Sequence, residues 1–498
     1  MFKRENLKLI LSFSILLHLV ASVNSVGYHH RDEHYQIIEF AGLKTGINQR
    51  ADLAWEYNER VRPAIQPALA YLIIETSDLI GISNPFDQTM IMRILSSLFS
   101  IICMYLLFMA FEDEIKSSRL KAWFLFLSFF LCFFFYLQVR FSSENWSGLL
   151  FFTGFALYFY KKYKHTSLFL ISIGLLLGLS FLFRYQSGFL ILGFMLWLLF
   201  VKKEKFKNLI ILFSGIIAAI LIGIFIDRWF YNEWTITIWN YFNVNIIQGK
   251  ASGFGTQPWY FYITETLKQG LPPFSIFLIL GFLILFIGKY KSVFTWTLLP
   301  FILVHFIIGH KEFRFLFPIL NVVPIIVVLS IREILLVRDK YISIKFKILF
   351  RKVYWNWLIY LFVIVNTVYL IIVCIRPADI YVALYKFIYN NYNNEKTVLL
   401  YMDKDPYLVT PEPANFYKSR KLETIKYSDS INIDSLYAKD NKVIFLSESY
   451  SDISKLKFSN IEMERVYRTI PGWMDEFNFN HWLERTKVFS LYELDSTK

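Results

Sequence analysis

The sequence predicts an α-helical polytopic membrane protein with a small C-terminal α/β or α+β region outside the membrane. Three observations carry that class. The 498 residues are 56% hydrophobic and 19% aromatic, whereas a soluble domain stays nearer half apolar. The excess lies in runs of about 20 residues, the length that crosses a bilayer. The basic residues gather in alternate loops between those runs, as they do when short loops face the cytoplasm.

Taken in order, the apolar runs place spans near 7–26, 88–111, 121–139, 146–160, 167–183, 187–201, 208–227, 272–288, 292–309, 315–331 and 354–375, about eleven in all. A further stretch, 64–82, is amphipathic and suits the membrane interface. The first run ends with Ala21, Ser22 and Ser25, a signal-peptide feature, but the many later spans favour a retained first helix. Many of the 52 Phe are expected to face lipid. Cys103, Cys132 and Cys374 lie inside apolar runs without metal or disulfide spacing, and read as packing residues.

With a cytoplasmic N-terminus, one side collects Lys3, Arg4 and Lys8; Lys116, Arg119 and Lys121; Lys161, Lys162 and Lys164; Lys202, Lys203, Lys205 and Lys207; Lys289 and Lys291; and the set from Arg332 to Lys352. The short loops on the other side hold only Arg140 and Arg184. The net charge of +13 is therefore dispersed between spans, which excludes a nucleic-acid patch. This map gives a transmembrane module over 1–376, with large outer loops at 27–87 and 228–271, and an extracytoplasmic soluble region over 377–498. Short apolar runs such as 397–403 and 442–448 read there as strands. The sequon at Asn145 falls in a short outer loop.

Three polar clusters fall on the outer face. The first, His29-His30-Arg31-Asp32-Glu33-His34, is a solvated interfacial loop, a site whose partly desolvated carboxylate serves as general base, or a metal site, the reading least favoured because contiguous residues rarely wrap one ion. The second, His310-Lys311-Glu312-Phe313-Arg314, is either a turn with snorkelling side chains or a grip for phosphate. The third, 227–262, is rich in Trp and Tyr and is broken by Gly249, Gly253 and Gly255. It reads as an interfacial aromatic belt or as a platform for sugar or lipid with a closing loop.

Together with the segment at 53–59, these residues carry a resemblance. The runs DEHYQIIEFA, LAWEYNE, DRWFYNEWT, GTQPWYFY and HKEFRFLFP resemble the Alg9-like mannosyltransferases, glycosyltransferase family 22 enzymes of the GT-C type. Within them, the resemblance is to the enzymes that add the third mannose of glycosylphosphatidylinositol. It covers most of 27–330. One departure is Ala54-Trp55-Glu56-Tyr57, where the family's Thr-Trp-Glu-Tyr would supply a hydroxyl.

The resemblance implies inverting transfer of mannose from a polyprenyl- or dolichyl-phosphate carrier to a glycolipid or lipid-linked glycan, on the luminal or periplasmic face. The membrane is then a bacterial inner membrane or the endoplasmic reticulum. Asp32 is implied as catalytic base, with Glu33 second. His310, Lys311, Arg314 and Arg184 would hold the donor phosphate. Gln257, Trp259, Tyr260, Trp55 and Glu56 would line the sugar or lipid. A lipid monophosphate held this way needs no divalent metal, so neither metal nor cofactor is expected. The alternative class is a lipid-linked-saccharide flippase or secondary transporter, for which internal repeats and broken helices at mid-membrane are the usual marks.

Overall fold

The structure, a computed structural model, describes residues 4–162, 165–270, 274–341, 352–428, 436, 441–448 and 461–496. Lys3, Lys164, Lys345, Lys347 and Arg351 lie outside the described residues. The chain forms two compact units. One comprises Met1–Ser25, Asn58–Ile73 and Met90–Arg376; the other comprises Val26–Tyr57, Ile74–Thr89 and Pro377–Lys498.

The first unit is helical. Among the described residues of the whole chain, five apolar stretches are long enough to cross a membrane: Glu5–Asn24, Pro85–Ile115, Phe206–Tyr231, Phe313–Leu335 and Asn356–Tyr392. Two bent pairs raise this to seven. They are Ser118–Phe130 with Cys132–Gln138, bent by 53°, and Phe274–Gly288 with Val293–Ile307, bent by 112°. Fewer spans qualify than the sequence suggested because three of the expected ones are helices of 17, 17 and 13 residues, short of the ~20 that a bilayer requires. The expected spans 272–288 and 292–309 are the two arms of one bent pair.

Small residues set the closest helix contacts. Gly174 and Gly178 of Ser167–Phe183 face Gly215 and Ala219 of Phe206–Tyr231. A Cβ on Gly174 would stand 2.9 Å from Gly215 Cα, and one on Gly178 would stand 2.6 Å from the Ala219 Cβ. This is the small-xxx-small packing by which membrane helices approach without a hydrophobic driving force. The expectation that many Phe face lipid holds only in part. Phe13, Phe206 and Phe225 are exposed, but Phe108, Phe111, Phe124, Phe151 and Phe155 are fully buried. Phe111 packs at a tilt against Phe294, with ring centroids 5.0 Å apart, and Phe155 against Phe194 at 5.3 Å. Rings without polar atoms fill the gaps between helices as readily as they face lipid tails. The three cysteines are free and buried.

The break at Leu131 leaves backbone groups that lipid cannot satisfy. Asn366 supplies both partners: its Oδ1 accepts from Cys132 N at 2.9 Å, and its Nδ2 donates to Phe130 O at 2.8 Å. Charged residues of the connecting segments pair with one another. Lys161 pairs with Asp113 at 2.8 Å, Lys289 with Glu333 at 3.0 Å, and Lys202 with Glu204 at 2.7 Å.

The second unit is built on a five-stranded sheet, β1 (Thr397–Tyr401), β2 (Leu422–Lys426), β3 (Lys442–Ser447), β4 (Ile461–Arg468) and β5 (Ser490–Ser496), in the order β2-β1-β3-β5-β4. The β1 strand runs parallel to β2 and β3, while β5 runs antiparallel to β3 and β4. The central strands β1 and β3 are almost continuously buried, which explains their unbroken apolar sequence. The residues 26–57, read from sequence as an outer loop, pack within this unit. Val26 O accepts from Ala378 N at 2.9 Å and Asp379 N at 3.1 Å. The Asp379 side chain in turn caps the helix Ile380–Tyr392 by accepting from Val382 N at 2.9 Å.

Candidate active site

Three segments of the helical unit converge on one buried carboxylate. Helix Ser143–Phe159 begins with Ser142 Oγ accepting from Asn145 N at 3.2 Å, a side-chain N-cap. That start puts Glu144 in the first turn, where a negative charge is favoured. The neighbouring helix Ser167–Phe183 is bolted alongside: Ser147 Oγ donates to Ser180 O at 2.9 Å, and Ser180 Oγ donates to Ser147 O at 2.7 Å. Arg184, the residue after that helix, is thereby held beside Glu144. The third segment, Phe313–Val322, lies directly on Gly148, whose missing side chain makes room for Pro318. This brings Arg314 to the same place.

The resulting geometry is a bridge. Glu144 Oε1 accepts from Arg184 Nη1 at 2.9 Å and from Arg314 Nη1 at 3.1 Å. The side chains of Glu144 and Arg184 are each 4% exposed, and that of Arg314 is 9% exposed. The Phe315 ring lies 5.0 Å from the Arg184 guanidinium and 5.4 Å from that of Arg314, a cation–π arrangement. Arg184 Nε is buried with no hydrogen-bond partner among the described residues. Buried orphan donors are rare in native folds and mark places where an acceptor belongs.

The rest of HKEFR extends the cluster. Arg314 Nε donates to Glu312 Oε2 at 2.6 Å, and Glu312 Oε1 stands 3.2 Å from His310 Nε2. The His310 Nδ1 contacts Gly255 O at 2.9 Å, Gln257 N donates to Gly309 O at 2.9 Å, and Lys311 Nζ donates to Gln257 O at 3.3 Å. The glycine-broken loop is therefore stitched to the basic segment. Desolvation holds the Lys311 ammonium below the usual lysine pKa range. Of the aromatic pair beyond Pro258, Trp259 is 65% and Tyr260 47% exposed. Lys311, Arg314 and Arg184 against Glu144 and Glu312 leave the cluster cationic.

Two parts of this arrangement escaped the sequence reading. Glu144 was hidden in a Ser-rich turn, and Asp227 in an aromatic block. Asp227 Oδ1 accepts from Ala64 N at 2.7 Å, and its Oδ2 accepts from the Thr237 hydroxyl at 2.7 Å. The Tyr185 hydroxyl donates to Thr237 Oγ1 at 2.7 Å. Tyr231 OH adds a bond to Arg62 O at 2.7 Å. Asp227, Tyr231 and Thr237 thus fasten the segment that carries Arg62 to Tyr185, in the turn that follows Arg184. The sequon residue Asn145 is buried and donates to Arg140 O at 2.9 Å, a position closed to a glycan.

The remaining expected residues belong to the second unit. Asp32 sits in the helical turn Arg31–Glu33, with its Oδ1 3.4 Å from His30 Nδ1. Glu33 accepts from His29 N at 3.2 Å. Glu56 is buried and accepts from Gln36 Nε2 at 2.8 Å; Trp55 is half-buried beside it. His34 is a core residue, stacked between Tyr28 at 5.5 Å and Tyr417 at 5.1 Å, with Nε2 2.7 Å from Glu39. The chain's Asp-X-Asp triplet, Asp403 to Asp405, serves a turn: Asp405 accepts from Tyr407 N at 2.9 Å and from the Thr424 hydroxyl at 2.6 Å. Among the described residues, no group of three or more His, Cys, Asp or Glu is placed to hold a metal ion.

Comparison with known proteins adds the following. Mannosyltransferase APTG1 of Arabidopsis thaliana is 26% identical over 319 residues, 63% of this chain and 56% of its own length. GPI alpha-1,2-mannosyltransferase 3 of Bos taurus is 24% identical over 290 residues, 58% and 52%. GPI mannosyltransferase 3 of Candida albicans is 26% identical over 339 residues, 67% and 66%. The chain thus spans between about half and two thirds of the length of these relatives. Among solved structures, ArnT from Cupriavidus metallidurans aligns over 98% of this chain and 97% of its own, at a TM-score of 0.49 and 11% identity. The sequence model of one family matches residues 9–410, a stretch that takes in Asp32, Glu144, Arg184, Asp227 and Arg314 together, and the chain belongs to that family, the Alg9-like mannosyltransferases.

Proposed function

We propose that this protein transfers mannose from a polyprenyl- or dolichyl-phosphate carrier to a hydroxyl of a glycolipid or lipid-linked glycan, on the luminal or periplasmic face. The observation that carries the reading is the buried Arg184–Glu144–Arg314 bridge, with Lys311 and His310 beside it. Family membership and the GPI mannosyltransferases among the relatives support the sugar. Support for the orientation comes from the basic loops. Lys161, Lys202 and Lys289, each paired with a carboxylate, lie in the loops that a protein with its N-terminus inside would keep in the cytoplasm.

In the proposed reaction, Asp32 takes the proton of the acceptor hydroxyl. The acceptor oxygen attacks C1 of the mannose from the face opposite the phosphate. The bond from C1 to the phosphate oxygen breaks, and its electron pair leaves with the carrier. A β-linked donor thus gives an α-linked product. The carrier changes from a phosphodiester to a phosphomonoester, so negative charge grows on it during the step. Arg184, Arg314 and Lys311 would meet that charge with N–H donors already in place, and guanidiniums suit phosphate oxygens. Gln257, Trp259, Tyr260, Trp55 and Glu56 are assigned to the sugar and lipid.

The test offers purified full-length protein mannose, glucose and arabinose on the same polyprenyl phosphate, and compares donor affinity in Arg314→Ala. Mannose transfer with weakened donor binding in the variant is expected. Transfer from only a non-mannose donor would retire the sugar assignment. Unchanged donor binding in Arg314→Ala would retire the clamp.

A further inference from the structure

A carboxylate among cations that are to bind an anion has two opposite readings. It is either a bystander that repels the incoming phosphate, or the part that holds the cations in place for it. The geometry here separates them. One oxygen, Glu144 Oε1, accepts from both Arg184 Nη1 at 2.9 Å and Arg314 Nη1 at 3.1 Å. Ser143 Oγ donates to the other oxygen at 3.1 Å and stands 3.4 Å from Arg184 Nη1, so the carboxylate itself cannot swing. Its backbone is fixed as well, by the Ser142 cap on one side and the Ser147–Ser180 bonds on the other.

We propose that Glu144 is the positioning residue of the donor-phosphate clamp, fixing the two guanidiniums side by side so that the pair meets one phosphate. The inference rests on the clamp reading above and goes one step further. Arg184 and Arg314 come from segments 130 residues apart in sequence, and each guanidinium is nearly sealed from water. Two such cations in contact with one atom repel each other strongly once that atom loses its charge. They would then separate, Arg314 toward Glu312, to which its Nε already donates at 2.6 Å, and Arg184 away from it. A phosphate arriving afterwards would have to reassemble the pair. With Glu144 present the pair is assembled before the donor arrives, and Arg184 Nε, buried and without a partner among the described residues, is left for the phosphate.

The two readings predict opposite signs. If Glu144 is a bystander, Glu144→Gln leaves donor affinity unchanged or improves it, because a negative charge is gone. If it positions the clamp, the same change weakens donor binding.

The experiment uses purified full-length protein and polyprenyl-phosphate mannose. It measures donor KM, kcat and inhibition by polyprenyl phosphate for the parent, Glu144→Gln, Arg314→Ala and the double variant. The expected result is a donor KM raised about ten- to a hundredfold in Glu144→Gln, the loss typical of charged hydrogen bonds. Inhibition by polyprenyl phosphate should weaken in parallel, and kcat should change much less. The double variant should be worse than Arg314→Ala alone by clearly less than the Glu144→Gln effect on the parent, since Glu144 acts in part through Arg314 and in part through Arg184. An unchanged or lowered KM in Glu144→Gln overturns the proposal, and so do fully additive effects. If Glu144→Gln does not fold, Glu144→Asp decides. Its shorter side chain keeps the charge but reaches one guanidinium, so an intermediate KM is expected and a parental KM overturns the proposal. Should Arg314→Ala itself leave KM and inhibition untouched, the clamp reading fails instead, which is a separate outcome.

Discussion

A Cβ added to Gly148 would stand 2.9 Å from Pro318 Cα and closer still to the Pro318 carbonyl oxygen. That contact lies one helical turn from Glu144 and one turn from Arg314, so it sets the distance between the acid and the base of the bridge. Gly148→Val should therefore push the 313–322 segment off its helix. Overpacking of this kind costs about 1–3 kcal/mol. We expect a lower thermal midpoint in detergent, and a donor KM that rises further than the small stability loss accounts for. Thermal unfolding and donor kinetics on the same preparation check this. Parental values in both would show that the backbone spacing at Gly148 does not control Arg314.

Lys311 gives a pH signature. Desolvation lowers its pKa, so its charge is lost at a lower pH than that of a free lysine. Donor affinity should then be steady at neutral pH and fall as pH rises through the depressed value. For stability the sign is the reverse. A folded-state lysine pKa below the unfolded one means that the fold carries a cost while the unfolded chain is protonated, and that cost is relieved only as pH climbs. Lys311→Met should consequently be at least as stable as the parent at neutral pH while binding donor poorly. Lys311→Arg should keep donor binding further into the alkaline range. Donor KM measured from about pH 6 to about pH 10 decides. An alkaline limb that is the same in the parent and in Lys311→Arg would remove Lys311 from the clamp.

Much of the architecture was legible because each signal was local. The apolar runs, the alternating basic loops and the short strands β1 and β3 are each contained in a window of 20 residues or fewer. The span count was less legible, because hydropathy does not register a helix that stops at 13 or 17 residues or a pair bent by 112°. In the Glu144 bridge, Arg184 and Arg314 stood out as charges between apolar runs, where a reason is needed for each. Glu144 did not, because its meaning lies in partners 40 and 170 residues away. The same holds for His34. Beside Asp32 in sequence it looks like part of a reactive cluster, yet its ring is stacked between Tyr28 and Tyr417, and Tyr417 lies far along the chain. Asp227 was masked by the tryptophans and tyrosines around it, whose interfacial character is the stronger local pattern.

Asp32 provides the test of the chemical step, as distinct from donor binding. A sugar hydroxyl loses its proton only as the new bond forms, so a base must lie within hydrogen-bond reach at that moment, and a positioned base contributes ~10²–10⁴-fold. Asp32→Asn keeps the shape and removes the proton acceptor. If Asp32 is the base, kcat should fall by about that factor, while donor KM and inhibition by polyprenyl phosphate stay near parental values, because the phosphate is held by other residues. Glu33 is the neighbour to compare. Its carboxylate accepts from His29 N at 3.2 Å, a bond within its own turn, so Glu33→Gln should lower kcat only modestly. Single-turnover measurements with preloaded donor separate the chemical step from product release. Near-parental single-turnover rates in Asp32→Asn would exclude it as base, and a collapse in Glu33→Gln instead would move the role by one residue.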